Sequence, residues 1–390
     1  MSLPKAIYEL EFNHGSIYGA EEAAAIAAVL ANSAPSCGPS VLDFETAFAA
    51  YCGAARGLAV SSATAGLDLA LSAAGVGPGD EVITTPISWI STANAAAKLG
   101  AQVVFADVDP NTLNLDPASV TAKITSRTKV IVPVHLYGQC CDMNELAALA
   151  RPRGILLVDD CAHTAGAEYQ GRKAGSLADI SVFSFHQQKN MTTLGEGGMV
   201  TTSDAALFER MLGLRSLSCR SYDPKGKYLA FDESQQPMGK RYWHLDFDNL
   251  GSNYRMTEMQ GAVGLIQLRK LDAMNQRRIE IAAEFTRRLS KVRGICPLTV
   301  LPDRKHVFHI FGVFVESKDD FMWRMYNDHR IKVWSHYMPI HLTTAYRNLG
   351  HRPGECPVAE ERFLHYVSLP IHPRLTAEAI DYLCSTIEAM

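Results

Sequence analysis

The sequence predicts an α/β protein, with a large domain built on a mostly parallel seven-stranded sheet and a smaller C-terminal α+β domain. Over the first two-thirds of the chain, short β-branched runs alternate with segments of helical pattern, which is typical of βαβ units. The runs are apolar throughout, as expected for strands that helices cover on both faces. The length of 390 residues also exceeds the roughly 250–300 residues that one hydrophobic core supports.

Seven runs are candidates for the strands of the large sheet: Leu58–Ser61, Glu81–Thr85, Val103–Asp107, Val130–Val134, Ile155–Val158, Ile180–Phe185 and Met199–Thr202. Helices are predicted at Thr64–Ala74, Ser91–Leu99, Asn144–Ala150 and Ala205–Leu214. Residues 216–250 break this alternation with polar and aromatic side chains, so we expect a long functional excursion there. The large domain, with an N-terminal arm and this excursion, is placed at 1–256.

The small domain is placed at 257–390 and should begin with a long helix near Thr257–Ala273. Strands are predicted at His309–Val315 and Lys332–Ser335. Helices are predicted around Asp319–His329 and Ala377–Ala389.

Composition excludes several classes of protein. Apolar residues make up 47% of the chain and charged residues 20%, which is ordinary for a globular protein and not for a disordered or fibrous one. The formal net charge of −4 argues against nucleic-acid binding. No run approaches the roughly 18 apolar residues of a membrane span, and the N-terminus lacks the apolar segment of a secretory signal. Nine cysteines without a regular framework indicate reduced thiols, so we expect a cytoplasmic protein.

Ligands of an open parallel sheet bind outside the carboxyl ends of its strands, so residues that follow strands are the candidates for a site. Ser62, Ala63 and Thr64 follow the first strand and open a helix, where small side chains and free N–H groups suit a phosphate. The same residue types also serve as an ordinary helix N-cap. Trp89 follows the second strand, and its ring is suited either to stacking on a flat ligand or to filling the core.

Acidic and basic side chains follow two further strands. Asp159 and Asp160 end an apolar strand, where a carboxylate needs a cation, a metal or a protonated ring nitrogen beside it. Zinc bound by Cys161 and His163 is disfavoured because a second ligand pair with suitable spacing is missing, and no metal is expected. Lys189 follows a buried strand, where desolvation would favour the neutral amine that forms Schiff bases. A surface lysine is the alternative.

Together these features match what pyridoxal phosphate requires of a protein: a phosphate cradle, a stacking ring, a buried acid and a desolvated lysine. The acid would keep the pyridine nitrogen protonated, so that the ring draws electrons, and the lysine would hold the aldehyde as an imine. Sequences of the G-x-G-x-x-G and P-loop types are missing, which disfavours a dinucleotide or nucleoside triphosphate site.

Seven segments of the chain resemble the DegT/StrS-type sugar aminotransferases, which are fold-type I pyridoxal-phosphate enzymes. The segments are SSATAGL, SWISTANA, VDDCAHT, SFHQQKNMTTLGEGGM, GSNYRMTEMQGAVGLIQLRKLD, HYMPIHLTTAYR and LPIHPRLT. They extend over most of the chain, and their combination is highly specific for this family. The resemblance implies a homodimer with shared active sites. It also implies ping-pong transfer of an amino group from glutamate or glutamine to a keto sugar.

The resemblance implies a role for each matched residue. Lys189 would be the Schiff-base lysine and proton shuttle, Asp160 would pair with the pyridine nitrogen, and His163 would lie near the 3-hydroxyl of the ring. Trp89 would stack on the ring. The cofactor phosphate would be held by Ser62, Ala63, Thr64 and Ser184, and the phosphate of the neighbouring subunit by Asn253.

Several features leave the substrate open. Gln187 and Gln188 replace the more frequent pair before the lysine and resemble members that act on keto cyclitols, so such an acceptor is an alternative to a nucleotide-linked 3- or 4-keto hexose. His336 and Tyr337 either face the acceptor or cap a small-domain strand. The excursion either covers a sugar nucleotide or forms a dimer interface, and its basic and aromatic residues are Arg220, Lys225, Lys227, Arg241, Tyr242 and Trp243.

Two other functions are weighed against transamination. A sugar deoxygenase of the same fold would carry histidine in place of the Schiff-base lysine, and Lys189 argues against it. A regulatory protein that binds the cofactor without turnover would have no use for a proton shuttle, so the complete set of site residues argues against this alternative too.

Overall fold

The computed structural model describes residues 15–32, 35–219, 247 and 249–390. Most of the predicted N-terminal arm and excursion, including the six basic and aromatic residues named for the excursion, lies outside the described residues. None of the helices in the described part combines the length and apolar content needed to cross a membrane.

The large sheet has seven strands: β1 (Arg56–Val60), β2 (Glu81–Thr84), β3 (Gln102–Phe105), β4 (Thr128–Val132), β5 (Leu156–Asp160), β8 (Ile180–Ser184) and β9 (Gly198–Thr202). Their order is β1-β9-β8-β5-β4-β2-β3. Only β9 runs antiparallel to its neighbours β1 and β8, so the sheet is mostly parallel, as predicted. All seven predicted strands form, with bounds shifted by at most two residues.

Helices cover both faces of this sheet, and several of them begin with a side-chain cap. They are α1 (Ala20–Asn32), α2 (Pro39–Cys52), α3 (Ala63–Ala73), α4 (Ser91–Lys98), α5 (Pro117–Lys123), α6 (Met143–Ala150) and α7 (Ala205–Arg215). The Ser62 hydroxyl accepts a hydrogen bond from the amide of Ala65 and caps α3, and Asp204 caps α7 in the same way. Such caps satisfy N–H groups that the first helical turn leaves free.

One long helix, α8 (Glu258–Leu289), belongs to two hydrophobic cores. In its first half, Leu271 packs in the core beneath the large sheet together with Phe48 and Phe183. Near its end, Phe285 and Leu289 pack in the core of the C-terminal part. A capping box between Thr257 and Gln260 begins the helix, which runs well beyond the predicted end at Ala273. The predicted domain boundary at 257 therefore stays a prediction, since this helix serves both cores.

The C-terminal part has an antiparallel sheet in the order β10-β12-β13, made of β10 (Ile295–Pro297), β12 (Phe311–Val315) and β13 (Tyr366–Leu369). Its helices are α9 (Lys318–Asn327), α10 (Thr344–Asn348), α11 (Pro357–Phe363) and α12 (Ala377–Glu388). A small sheet in the order β11-β6-β7, made of β6 (Glu168–Tyr169), β7 (Arg172–Lys173) and β11 (Arg304–Lys305), links the two parts.

The predicted strand at Lys332–Ser335 is wrong. Trp334 makes only an isolated antiparallel bridge with Ser368, through two backbone hydrogen bonds of 3.2 and 2.7 Å. The β-branched and aromatic residue types of this run suit a strand, but the chain leaves the edge of β13 after one pair and turns towards the large sheet.

Packing beneath the large sheet should make Phe48→Ala strongly destabilising. The Phe48 ring is fully buried, with ring centroids of Phe183 at 4.9 Å and Phe185 at 5.2 Å. We expect a loss of about 3–5 kcal/mol in the free energy of unfolding, measured by chemical denaturation. The control Leu30→Ala, at a side chain that is 63% exposed, should change it by less than about 0.5 kcal/mol. Equal effects of the two substitutions would contradict this assignment of the core.

Candidate active site

Lys189 lies in the loop that follows β8, at the carboxyl end of the parallel strands. Its backbone N–H donates to the carbonyl of His186 at 2.8 Å, which turns the chain back over the strand end. The Lys189 Nζ atom lies 3.4 Å from Nε2 of His309. The side chain is half-buried, and burial lowers the pKa of the Lys189 ammonium to about 8, an effect that nearby Asp160 partly opposes.

Asp160 is the last residue of β5 and pairs in register with Val182 of β8. Its buried carboxylate accepts hydrogen bonds from the Thr92 hydroxyl at 2.8 Å and from the Ala162 amide at 3.0 Å. Burial raises the pKa of Asp160, while these two donors and the charge of Lys189 act in the opposite direction. The carboxylate therefore lies where an additional cationic donor would strongly favour its charged form.

A backbone hydrogen bond determines the tautomer of His163. The Tyr137 amide donates to His163 Nδ1 at 3.2 Å, so in the neutral ring the proton is on Nε2. That nitrogen lies 3.4 Å from the Tyr337 hydroxyl. Burial, followed by the charges of Lys189 and His336, holds the pKa of His163 well below its usual range. The ring is therefore a neutral hydrogen-bond donor.

The predicted phosphate residues lie together at the start of α3. Ser184 at the end of β8 pairs with Gly198 of β9. A Cβ atom on Gly198 would lie 2.7 Å from the backbone carbon of Ser62 and 2.8 Å from the backbone nitrogen of Ala63. The close approach that glycine permits brings Ser184 beside the half-buried turn of Ser62, Ala63 and Thr64, where N–H groups at the helix start are free to bind an anion.

Aromatic residues line the approach to this site. Trp89 is 63% exposed, and its ring meets that of Tyr337 edge-on at 6.2 Å. The neighbouring His336 has a pKa lowered to about 4 by burial and by the charge of Lys189. His336 Nδ1 is bonded to the Ser368 hydroxyl at 2.8 Å. The structure thus brings both residues predicted to face the acceptor to the side of the site where Trp89 lies.

Asn253 lies on a separate chain segment beside the outer strand of the large sheet. It forms an isolated bridge with Ser216 and has an exposed side chain. The adjacent Tyr254 carbonyl accepts from the Ser61 amide at 2.8 Å, so Asn253 lies at the sheet edge that carries the phosphate turn.

Three residues of the site were not predicted from the sequence: Thr92, which bonds Asp160, His309, which contacts Lys189, and Tyr137, which sets the tautomer of His163. The rings of His309 and His163 lie 4.4 Å apart. Thr92 lies within the SWISTANA segment, where three hydroxyl side chains stand near Trp89 and were the available signal. His309 stands at the start of a predicted strand, and nothing in a linear pattern indicates which residue such a histidine will contact.

One buried cluster in the described part of the chain has the composition of a metal site: His135, Asp159 and Cys161, whose ligand atoms lie within 4.8 Å of one another. His135 Nδ1 accepts the Cys141 amide at 3.1 Å, which leaves the proton on Nε2, 3.0 Å from Asp159 Oδ2. The geometry therefore favours a hydrogen bond from His135 to Asp159.

The residues present fit pyridoxal phosphate. Burial raises the pKa of the Asp160 carboxyl, whose oxygens receive two neutral donors, and a protonated pyridine nitrogen would supply the missing positive charge. The start of α3 would hold the phosphate. Lys189, with its lowered pKa, would supply an amine for the aldehyde.

Comparisons with known proteins identify the chain's relatives. The model of the DegT/DnrJ/EryC1/StrS aminotransferase family matches residues 16–388. The spore coat polysaccharide biosynthesis protein SpsC of Bacillus subtilis is 36% identical over 374 residues, which covers 94% of this chain and 93% of that protein. The dTDP-3-amino-3,4,6-trideoxy-alpha-D-glucose transaminase of Streptomyces venezuelae is 37% identical over 358 residues, which covers 91% of this chain and 88% of that protein.

A solved structure shows the same fold. A Streptococcus pneumoniae protein in its PLP form superposes with a TM-score of 0.87 at 26% identity and covers 97% of each chain. The same protein has also been solved in PMP and apo forms. The predicted fold class and the predicted resemblance are both confirmed. The chain belongs to the DegT/DnrJ/EryC1/StrS aminotransferase family, the family of sugar aminotransferases.

Proposed function

We propose that this protein is a pyridoxal-phosphate-dependent transaminase that uses Lys189 to move an amino group from glutamate or glutamine to a keto sugar. One observation carries the proposal. The half-buried side chain of Lys189 follows β8, and the buried side chain of Asp160 ends the adjacent parallel strand β5. Burial at this edge of the sheet lowers the pKa of the lysine to about 8 and raises that of the aspartate. Without a ligand, this arrangement buries two opposite charges at a cost to stability.

Each side chain of the site would have a distinct role in the reaction. Bound pyridoxal phosphate would supply an aldehyde for amine exchange and a ring that withdraws electrons. Asp160 would hold the ring nitrogen in its protonated form, and Nε2–H of neutral His163 would donate to the ring's 3-oxygen. Lys189 would hold the aldehyde and, once released, carry a proton between substrate and cofactor carbons. Its contact with His309 would keep the freed amine inside the site.

The acceptor we propose is a nucleotide-linked 3- or 4-keto hexose. The Streptomyces venezuelae relative is named for a dTDP-linked amino sugar. The ring of exposed Trp89 meets the half-buried ring of Tyr337 at the approach to the site, and aromatic rings suit a sugar ring. A keto cyclitol, suggested by the pair Gln187 and Gln188, is the second acceptor to test.

We also propose a homodimer in which Asn253 reaches the cofactor phosphate of the partner subunit. The position of Asn253 supports this proposal. Its side chain is exposed at the sheet edge that holds the phosphate turn, where a second copy could approach. Sedimentation of the holoenzyme would measure the assembly. A monomer with full activity would exclude the shared site.

The acceptor can be identified with enzyme first converted to the pyridoxamine form by glutamate. Each member of a panel of nucleotide-linked keto hexoses and keto cyclitols is then added, and the absorbance of the aldehyde form is followed. We expect recovery with a nucleotide-linked keto hexose. Recovery only with cyclitols would select the second acceptor, and recovery with none would contradict both.

Replacement of the lysine gives a direct test of its role. Lys189→Ala should lose covalent cofactor attachment, measured by borohydride reduction and peptide mapping. It should also lower kcat by about 10³-fold or more, because a positioned acid–base group contributes up to about 10⁴-fold. The control Lys129→Ala removes a lysine that pairs with Asp80 at the amino end of β4, and should keep both properties. Full activity of Lys189→Ala would refute the assignment.

The pH dependence of cofactor capture should follow the lowered pKa of Lys189. Only the neutral amine attacks an aldehyde, so the capture rate should rise about tenfold between pH 7 and pH 9 and level off above the pKa. The midpoint is expected near pH 8. Nα-acetyl-lysine, the control, should show a rate that still rises at pH 10. The same late rise in the protein would contradict a desolvated amine.

A further inference from the structure

A buried side-chain amide on α8 joins two loops of the site. Asn275 is 1% exposed. Its Nδ2 donates to the carbonyl of Ala165 at 2.8 Å, and its Oδ1 accepts from Nδ2 of Asn190 at 2.8 Å. Ala165 follows His163 by two residues, and Asn190 directly follows Lys189. One amide thus ties the loop after β5 to the loop after β8.

The same connection extends to a third segment. Asn190, which is 2% exposed, also donates from Nδ2 to the carbonyl of Val307 at 3.0 Å. Val307 precedes His309 by two residues, and His309 Nε2 lies 3.4 Å from Lys189 Nζ. The pair of Asn275 and Asn190 is therefore bonded to chain within two residues of Lys189, His163 and His309.

The surrounding chain is shaped to admit this amide. Gly166 has a φ of +87°, and a Cβ atom there would lie 2.6 Å from Asn275 Nδ2, so only glycine leaves room. One turn further along α8, Arg278 donates to the carbonyls of Gly15 at 2.7 Å and Phe308 at 3.2 Å. Gly15 in turn donates to the Gln187 carbonyl at 2.9 Å. This face of α8 therefore braces the Lys189 loop from two sides.

We propose that Asn275 is a positioning residue that fixes the Lys189 amine relative to His163 through its bonds to Asn190 and Ala165. The proposal rests on the proposed role of Lys189. If Asn275 were apolar, the Ala165 carbonyl would lose this partner, and Asn190 would keep one acceptor. Buried polar groups without partners are costly. The Lys189 loop would then shift towards water, and its amine would become more hydrated.

The test is the acid–base behaviour of Lys189 in the full chain freed of cofactor by dialysis against hydroxylamine. Competitive labelling with acetic anhydride across pH, followed by mass spectrometry of the peptide containing Lys189, measures the pKa of this one amine. In Asn275→Leu we expect the pKa to rise by about one unit or more, towards the ordinary value near 10.4. The matched control is Thr201→Val, which also removes a buried side-chain donor to a backbone carbonyl, that of Gly175 at 2.8 Å, but lies opposite the start of β8, away from the site. It should leave the pKa unchanged.

A double substitution tests whether Asn190 and Asn275 affect the pKa of Lys189 through their shared bond or through independent loss of packing. Asn190→Ala should also raise the pKa of Lys189, and Asn190→Ala with Asn275→Leu should raise it by less than the sum of the two single shifts, because both remove the shared bond between Asn190 and Asn275. An unchanged pKa in folded Asn275→Leu would overturn the proposal, as would additive shifts. If Asn275→Leu does not fold, Asn190→Ala alone decides by the same criterion. If Lys189 does not bind the cofactor, borohydride reduction and peptide mapping will show it. The labelling experiment uses protein without cofactor, so it still tests the positioning of Lys189 by Asn275.

Discussion

The desolvation of one amine beside one carboxylate sets the conditions for the rest of the site. Burial disfavours the charged form of each group, so the pKa of Lys189 falls to about 8 and that of Asp160 rises. The surrounding imidazoles of His163, His309 and His336 all have lowered pKa values. These neutral rings can donate and accept hydrogen bonds without adding positive charge. A second positive charge would be repelled by the Lys189 ammonium.

The fold supplies this pocket through the adjacency of two strands. β5 and β8 are separated by about twenty residues of chain but run parallel side by side, so Asp160 and the Lys189 loop emerge at one edge. Backbone groups then fix the side chains. Ala162 donates to Asp160, Tyr137 to His163, and Lys189 itself to His186. Few long-range side-chain contacts are needed to assemble the acid and the base.

Local sequence pattern was enough to predict the strands of the large sheet. All seven strands of the large sheet, the cap at Ser62 and the position of Lys189 past a buried strand depend on neighbours in the chain. His309 could not be assigned in this way, because its contact with Lys189 crosses 120 residues. Asn275 lay beyond the predicted end of the long helix at Ala273, and a polar side chain on a helix is ordinarily expected to face water.

The failed strand at Lys332–Ser335 has a similar cause. Residue propensity favours β structure there, but the chain must bring Tyr337 to His163, and the carbonyl of His336 accepts the Tyr137 hydroxyl. Tertiary contacts thus override a local preference. Trp89 could be placed after its strand, yet its 63% exposure and its edge-on contact with Tyr337 depend on a segment almost 250 residues away.

The continuity of α8 between the two cores limits how these proteins can be recombined. Leu271 and Phe285 lie on one unbroken helix but pack in different cores. A chimera joined at residue 257 would pair the sheet of one parent with the helix of another and mismatch the core around Phe48. Exchange of the C-terminal part between relatives would therefore succeed only when α8 is exchanged together with the residues that pack against it in both cores.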